Sequence, residues 1–412
     1  MGLTPALKSG LHVVIIGGSL GGLLAANMLW RAGFDVTVHE RIGAALGGRG
    51  AGIAAHPEML DAFARAGVDV NDAIGTSVEE RIVLAQDGSV MARHHLPQIM
   101  CSWSSLLRLL LAAFPKERYF SGTAFSRAEQ SGAGVSAVFE DGAKIDADLL
   151  IGTDGIHSTV RGQYWPAAKP AYAGYIAWRG MVDEANVSRE THASLFSNYG
   201  FCLPPGEHML GYPIAGADGD VRPGHRRFNI VWYRTAAEET ELKRLMTDEA
   251  GRHHPLGIPP GMIQADVIAE LHAAARANLA PQFCEMVELV ETPFFQSVVD
   301  LEVPGMVSGR APLLGDAPFL VRPHCGMGVT KAAGDAVLLT DLLTAFPGDI
   351  DHALAVYDIE RCRYGRYLAA HARRLGSQMK QEYVSEEERQ EAAHYRKPET
   401  CLREISLPPH PP

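Results

Sequence analysis

The sequence predicts an α/β fold with an inserted, mainly antiparallel β-sheet and a C-terminal helical segment. Near the N-terminus, an apolar strand, a glycine-rich loop, a helix and a second apolar strand follow one another. Residues 170–234 then read as consecutive strands, whereas residues 351–396 are helical in pattern and heavily charged. Because α/β segments lie on both sides of the strand run, that run should form a separate, inserted domain.

The opening βαβ unit has the pattern of a Rossmann-like nucleotide-binding domain. A strand at residues 13–16 runs into a glycine-rich loop at residues 17–22, and a helix at residues 23–31 precedes a strand at residues 36–38. The N-terminus of such a helix offers unpaired N–H groups and a positive dipole end to a pyrophosphate. The loop is therefore expected to bind a dinucleotide.

Single positions in this unit refine that expectation. Gly17 permits the tight turn and Gly22 lets the helix pack closely on the strand. Glu40 can bind a ribose 2′-hydroxyl and would repel a 2′-phosphate, which favours FAD or NAD over a bound NADP. Ser19 replaces the second glycine of the usual motif, where the backbone approaches the phosphate.

Composition excludes several classes of protein. A chain of 412 residues can form two or more cores, and its net charge of −11 disfavours nucleic acid or an anionic membrane as partner. The uncharged run at residues 11–30 is broken by glycine and serine, so neither a membrane span nor a signal peptide is expected. Six cysteines lack CxxC spacing and indicate reduced thiols in the cytoplasm, and 17 histidines form no spaced metal-ligand set.

The remaining elements follow in order. The first part of the chain predicts a turn at 43–52, helices at 57–66 and 103–114, a hairpin within 81–95 at Asp87–Gly88, strands at 135–139 and 144–145 around Asp141–Gly142, and a strand at 147–151. The second part predicts strands at 172–182, 194–202, 207–214, 226–233, 294–301 and 312–314, and helices at 239–247, 264–277, 282–290 and 328–343.

The expected domains are discontinuous. The nucleotide-binding domain takes residues 1–80, 98–165 and 295–345, the second domain takes 81–97 and 166–294, the helical segment takes 346–400, and the tail takes 401–412.

Two later motifs carry acids at positions suited to a nucleotide. Asp154-Gly155 follows the apolar strand at 147–151, and Asp316 follows Gly315 before a glycine-containing helix start. An acid at the end of a strand, followed by a bend and a helix, positions a ligand that has sugar hydroxyls. Further along, Gly326 and Gly328 open a helix whose N–H groups and dipole can stabilise negative charge.

Together the three motifs resemble the class A flavoprotein aromatic hydroxylases, the family typified by p-hydroxybenzoate hydroxylase, over roughly residues 12–375. The GGSxxG loop, residues 172–180 and the turn at 322–324 resemble the branch that hydroxylates dihydroxypyridines. The resemblance implies resident FAD, transient NADH or NADPH, and O₂ as co-substrate. It implies hydroxylation of a small phenolic or hydroxypyridine-like ring through a C4a-hydroperoxyflavin.

The resemblance also implies roles for particular residues. The glycine loop would hold the pyrophosphate, Glu40 the ribose and Asp316 the ribityl chain, while residues 323–328 would pass beside the isoalloxazine ring. The complete set of implied cofactor residues is Gly17, Gly18, Ser19, Leu20, Gly22, Glu40, Arg41, Arg49, Asp154, Asp316, Gly326, Met327 and Gly328. Two positions depart from the family pattern, since Phe319 stands where many members have histidine and residues 102–105 lack the usual arginine.

His324, preceded by Pro323, is the candidate base that would ionise a ring hydroxyl, because histidine titrates near pH 7. The alternative is a packing residue bonded to backbone. Arg179 is expected on the sheet face opposite Trp178, in a structural or dimer-surface role. The aromatic candidates for the substrate pocket, each also compatible with core packing, are Tyr175, Phe201, Tyr212 and Trp232.

Two other functions stay open at this level. One is a flavin-dependent halogenase or reductase on the same scaffold, and the other is a flavin-binding redox sensor without turnover. Residues 351–396 leave a choice between a homodimer contact and a charged outer helix.

Overall fold

The computed structural model describes residues 10–43, 52–132, 134–380 and 382–409. Its strands are β1 His12–Ile16, β2 Asp35–Glu40, β3 Gly52–Ala54, β4 Thr76–Leu84, β5 Val90–Ser102, β6 Tyr119–Ser121, β7 Phe125–Ser131, β8 Gly134–Phe139, β9 Lys144–Ala147, β10 Leu149–Gly152, β11 Ala171–Asp183, β12 Asn198–Cys202, β13 His208–Ile214, β14 Arg227–Thr235, β15 Phe294–Glu302, β16 Val307–Ser308, β17 Ala311–Pro312 and β18 Phe319–Leu320. Its α-helices are α1 Leu20–Ala32, α2 Pro57–Arg65, α3 Trp103–Ala113, α4 Thr159–Tyr164, α5 Arg189–Leu195, α6 Lys243–Leu245, α7 Ala265–Asn278, α8 Pro281–Leu289, α9 Gly328–Ala345, α10 Ile350–Leu375, α11 Glu386–Tyr395 and α12 Pro398–Glu404.

The nucleotide-binding unit is a parallel sheet of four strands in the order β10-β1-β2-β6. Val13 on β1 pairs with Leu149 on one side and with Val36 on the other. All three side chains are buried, because helices and loops cover both faces of this sheet. The predicted α/β fold is confirmed, and α1 begins at Leu20, three residues earlier than predicted.

The second sheet has nine strands in the order β18-β15-β11-β14-β13-β12-β4-β5-β3. Its pairs are antiparallel except for β12 with β4. Residues 189–195 form α5, so the strand predicted at 194–202 is confined to its second half. The side chain of Ser188 caps this helix by accepting a hydrogen bond from Thr191 N, and this cap favours a helix over a strand at residues 189–195.

Both faces of this second sheet are buried. One face packs against α7 and α8 and contains Trp178 and Trp232. The other face packs against α10, α12 and the turn after β18 and contains Tyr175, Phe201 and Tyr212. We call these the outer face and the inner face. The inner face is the one that meets the nucleotide-binding unit, because Met327 at the start of α9 packs on this face, whereas Ala333 and Ala336 of α9 pack in the core of that unit.

The C-terminal region corrects the predicted tail at 401–412. Pro398 starts α12, and Cys401, Leu402 and Ile405 are buried against the inner face. These three apolar side chains have the spacing of one helix face. The prolines that follow them favour an irregular tail, and for that reason the helix was not predicted from the sequence. Residues 410–412 and most of the predicted turn at 43–52 lie outside the described residues.

No helix among the described residues is both long and apolar enough to cross a membrane. Within the same residues, no cluster of three or more His, Cys, Asp or Glu side chains could hold a metal ion.

We expect Gly365→Ala to destabilise the protein, although alanine normally favours a helix. A methyl group there would lie 2.5 Å from the ring of Phe319, so overpacking should cost about 1–3 kcal/mol in the free energy of unfolding. Gly162→Ala, in α4, meets nothing within 4 Å and is the matched control. Denaturant unfolding measures the free energy of unfolding of both variants, and equal losses in the two would contradict this packing.

Candidate active site

The glycine-rich loop after β1 has no room for side chains. A Cβ at Gly17 would lie 2.5 Å from the carbonyl oxygen of Thr153, and one at Gly22 would lie 2.0 Å from the carbonyl oxygen of Gly17. Gly17 also has φ +105°, a conformation that glycine adopts without strain. The Ser19 side chain does not cap α1, so the N–H groups of this helix stay open at its N-terminus.

Glu40 lies at the end of β2 and holds the loop. Its carboxylate is buried and accepts hydrogen bonds from Gly18 N at 2.8 Å and Ile42 N at 3.0 Å. Tyr119 donates to the Gly18 carbonyl oxygen at 3.1 Å from the other side. Arg41 follows Glu40 and is exposed. The pKa of His157 is lowered mainly by burial, and the positive charge of Arg41 lowers it further.

The carboxylate of Asp154 caps the start of α4. It accepts hydrogen bonds from Ser158 Oγ, Thr159 N and Val160 N. Burial raises the pKa of Asp154, and these hydrogen bonds oppose that rise. The side chain therefore fixes the corner between β10 and α4, and the backbone of this corner borders the glycine loop.

Asp316 is held in place by a buried charged cluster that the sequence interpretation missed. Asp335 accepts a hydrogen bond from Gly315 N at 3.0 Å, and Lys331 donates to the carbonyl oxygen of the same glycine. Arg361 pairs with the second oxygen of Asp335. Lys331 and Asp335 are four residues apart on the side of α9 that faces the core, and that spacing is the signal that could have revealed the pair.

The carboxylate of Asp316 opens into a cavity and accepts no hydrogen bond from the described part of the protein. The surrounding protein raises its pKa, Lys331 lowers it, and Asp335 raises it further. Such a carboxylate has unused acceptor positions for hydroxyl groups of a ligand.

That cavity, of about 990 Å³, lies between the nucleotide-binding unit and the inner face of the second sheet. Pro323, Gly326 and Gly328 border it near Asp316, where α9 begins. Gly326 has φ +66°, and a Cβ there would lie 2.9 Å from Cα of Ser406. Met327, predicted beside them, is buried in the core instead.

The predicted aromatic residues divide between the two faces of the sheet. Tyr212 borders the cavity, whereas Phe201 stacks on the cavity residue Tyr199 with 4.4 Å between ring centroids. Trp232 was wrongly placed, because it lies on the outer face and donates from Nε1 to Glu207 at 3.0 Å. Its neighbour Tyr233 borders the cavity, as strand alternation requires.

Arg179 also differs from its predicted role. It lies opposite Trp178, as expected, but Trp178 is on the outer face, so Arg179 borders the cavity. Its Nε is buried and has no hydrogen-bond partner in the described part of the chain. Burial raises the pKa of Tyr212 and of Tyr233, and Arg179 opposes the rise at both hydroxyls.

His324 is fully buried and does not border the cavity. Its ring lies 4.2 Å from that of Tyr233, and its Nε2 is 3.0 Å from the hydroxyl oxygen of Tyr175. Burial lowers its pKa well below the ordinary value, and His208 and Arg322 lower it further. Burial therefore disfavours the protonated form of His324, and among the described residues no acid forms an ion pair with the ring.

The predicted flavin-loop residue Arg49 lies outside the described residues.

The chain is similar to enzymes that hydroxylate aromatic rings. A family model described as FAD binding domain-like matches residues 172–300. A 2,6-dihydroxypyridine 3-monooxygenase of Paenarthrobacter nicotinovorans is 30% identical over 89% of this chain and 91% of that enzyme. A salicylate hydroxylase of Pseudomonas putida is 28% identical over 85% of this chain and 82% of that enzyme.

One solved structure agrees closely with this fold. The 2,6-dihydroxypyridine-3-hydroxylase from Arthrobacter nicotinovorans has a TM-score of 0.84 at 29% identity, covering 90% of this chain and 93% of that one. The names of these relatives favour a monooxygenase over the halogenase, reductase and sensor alternatives. The crowded glycine loop and the unpaired Asp316 carboxylate fit FAD, whose pyrophosphate needs backbone N–H groups and whose ribityl chain needs acceptors.

Asp316→Ala should weaken FAD binding about 10- to 100-fold, because it removes one or two hydrogen bonds to a charged acceptor. Titration of the apoprotein with FAD, followed by flavin fluorescence, measures the change. Asp341→Ala removes an exposed acid from α9 and should leave the affinity as it is. Equal affinities of the two variants would contradict the assignment of Asp316.

Stability should fall as the pH drops below 6.5. Burial lowers the pKa of His39 and His208 from 6.5 to about 4 and also lowers that of His56 and His324. Below pH 6.5 these histidines bind protons in the unfolded chain but stay neutral in the folded one, which favours unfolding. Their contribution to the free energy of unfolding is therefore full above pH 6.5 and declines toward pH 4, by roughly 3 kcal/mol for His208.

Urea unfolding between pH 4 and 8 measures this loss. His208→Gln should make the decline shallower, whereas His352→Gln, at an exposed position, should reproduce the wild-type curve. A curve for His208→Gln as steep as that of the wild type would contradict the neutral state of His208.

Proposed function

The chain belongs to the FAD-dependent aromatic monooxygenases, and we propose that it hydroxylates a small phenolic or hydroxypyridine-like ring that carries an ionised oxygen. The observation that supports this substrate class most is the Arg179 side chain. It is a cation whose buried Nε has no hydrogen-bond partner among the described residues, and it borders the cavity beside Tyr212 and Tyr233. The same cavity is also lined by charged side chains, among them Lys169, Glu238 and Asp316. An arginine in such surroundings favours an anionic group of a ligand.

Arg179 would act on the ring in two ways. Its charge would hold the oxygen substituent in the deprotonated form, which makes the ring carbons richer in electrons. Its planar guanidinium would orient the ring between Tyr212 and Tyr233, whose hydroxyls stay protonated because burial raises their pKa.

The proposed cofactor contacts follow the geometry of the site. Gly17, Gly18, Ser19, Leu20 and Gly22 would receive the pyrophosphate, Glu40 and Arg41 would lie at the adenosine end, and Asp154 would shape the loop through its backbone. When bound, FAD supplies the oxygen-transfer chemistry with O₂ and with electrons from transient NADH or NADPH.

The protein would complete the site around the reacting ring. Asp316 would bind the ribityl hydroxyls, and the N-terminal end of α9 at Gly326 and Gly328 would stabilise negative charge placed beside it. Pro323 borders the cavity and would help to exclude water from it.

His324 would serve as a positioning residue. Tyr233 stands between it and the cavity, so its ring cannot reach a proton on the substrate. Through Tyr175 it joins a chain of contacts that continues to Arg322 and to Asp300, which pairs with Arg322 at 2.7 Å. In this arrangement His324 fixes the orientation of Tyr233, which forms part of the pocket wall.

The proposed setting is the cytoplasm, because all six cysteines are free and five of them are buried.

Ile359 on α10 is a large apolar side chain that is 67% exposed, and it would be covered in a homodimer formed through this helix.

Arg179→Met should raise the KM for the ring at least 10-fold and divert electrons from hydroxylation to hydrogen peroxide, because it removes the charged contact. The holoenzyme is assayed with NADH and with NADPH, using 2,6-dihydroxypyridine, salicylate and 3-amino-4-hydroxybenzoate. Product is identified by mass spectrometry and peroxide is measured separately.

Arg234→Met is the matched control, since Arg234 pairs with Glu207 and is not among the residues that line the cavity. A wild-type enzyme that hydroxylates none of these rings would contradict the proposed substrate class. A fully coupled Arg179→Met enzyme with unchanged KM would contradict the role of Arg179.

A further inference from the structure

The C-terminal segment, defined here as residues 398–406, reaches the cavity of the candidate active site. After α12 ends at Glu404, the chain places Ser406 against Gly326, at the loop that starts α9. Ser406 is buried and borders the same cavity as Asp316 and Tyr212. The segment is therefore part of the wall of this cavity.

Two hydrogen bonds of its backbone fix Ser406 in an unfavourable conformation. Its φ is +55°, the one positive value at a non-glycine residue in the described part of the chain. Its N–H donates to the His324 carbonyl oxygen at 2.8 Å, and its own carbonyl oxygen accepts from His56 Nε2 at 3.2 Å. A left-handed conformation costs a serine roughly 1–2 kcal/mol, so these contacts hold it where a relaxed chain would not.

The tautomer of His56 follows from its two partners. A carbonyl oxygen can only accept, so Nε2 carries the proton that goes to Ser406. Nδ1 then accepts from the Thr330 hydroxyl at 2.8 Å, and Thr330 lies in the first turn of α9. Ser406 is thus tied to the same helix start that borders the cavity.

The Ser406 side chain forms a pair with a tyrosine. Its Oγ lies 3.0 Å from the hydroxyl oxygen of Tyr199, and both residues border the cavity. Two hydroxyl groups bring two hydrogens, and the bond between them uses only one. The second hydrogen is available to an acceptor in the cavity.

A buried cation lies behind this pair. Arg81 is 5.0 Å from the centroid of the Tyr199 ring and donates to the Leu402 carbonyl oxygen at 2.9 Å. One of its buried nitrogens has no partner within the described ranges. Burial raises the pKa of Tyr199 to about 12, although Arg81 opposes the rise, so the hydroxyl stays protonated at neutral pH. A positive charge near a donor strengthens its hydrogen bond to an anionic or oxo acceptor.

We propose that the Tyr199–Ser406 hydroxyl pair donates a hydrogen bond to an oxygen substituent of the bound ring and makes the C-terminal segment a specificity-determining wall. This inference rests on the proposed ring hydroxylation. In the sheet, β14 and β13 separate Arg179 on β11 from Tyr199 on β12, and Tyr233 and Tyr212 lie between them. Arg179 and the hydroxyl pair are thus two separate polar groups on the wall of one cavity.

The test compares two rings on the holoenzyme without NADH, so that binding is measured apart from turnover. 2,6-Dihydroxypyridine carries two oxygens and 2-hydroxypyridine carries one, and each is titrated while the flavin absorbance is followed. Ser406→Ala and Tyr199→Phe should weaken binding of the first ring about 10-fold and of the second less than twofold.

Two controls separate the hydroxyl from the backbone. Ser406→Gly relieves the positive φ but also removes the hydroxyl, so it should match Ser406→Ala. Arg403→Ala, exposed in the same segment, should behave as the wild type. Hydrogen exchange of the wild type adds a measurement that needs no variant, since the dihydroxy ring should protect the amides of the C-terminal segment.

Equal losses for both rings, or no loss in either hydroxyl variant, would overturn the assignment. So would unchanged exchange in the C-terminal segment when the dihydroxy ring binds. If the wild type hydroxylates the ring and the hydroxyl variants still bind 2,6-dihydroxypyridine in preference to 2-hydroxypyridine as the wild type does, only this inference fails. If the wild type binds neither ring, the proposed function fails as well.

Discussion

The arrangement of the site depends on the buried ion cluster of Lys331, Asp335 and Arg361. Removing such charges from water is costly, and they are stable only when every member keeps its partners. Here Asp335 and Lys331 hold the two sides of Gly315, while Arg361 brings α10 onto the same carboxylate. Nearby, Tyr357 of α10 donates to the Leu313 carbonyl oxygen at 2.9 Å. The cluster therefore fixes the loop that carries Asp316 and the helix that supports the second sheet.

Sequence reasoning succeeded where local chemistry determines local structure. Gly17 and Asp154 follow strands that apolar runs mark in the sequence, and Gly22 lies in the first turn of the helix that the glycine-rich loop opens. The faces of β11 and β14 could not be predicted in the same way, because both faces of this sheet are buried. Trp232 and Tyr233 look equally suited to a core, and only the packing of α7 and α8 decides which of them meets the cavity.

His324 and Arg179 show how burial changes the role of a residue type. A histidine without an acid nearby tends to lose its proton when water is removed, and burial accordingly lowers the pKa of His324. An arginine keeps its charge in similar surroundings, which leaves Arg179 as a fixed cation on the pocket wall. The chemistry of the pocket is thus set by constant charge and by hydroxyl donors.

The contact between His56 and Ser406 joins residues 350 positions apart in the chain. Gly52 and Asn229 are 177 positions apart, and Gly17 and Thr153 are 136 positions apart. Pairings of such long range form late in folding, because the closure of large loops opposes them until much of the chain is ordered. Uptake of the flavin would then report completion of the whole tertiary structure, and a partly folded chain would remain colourless.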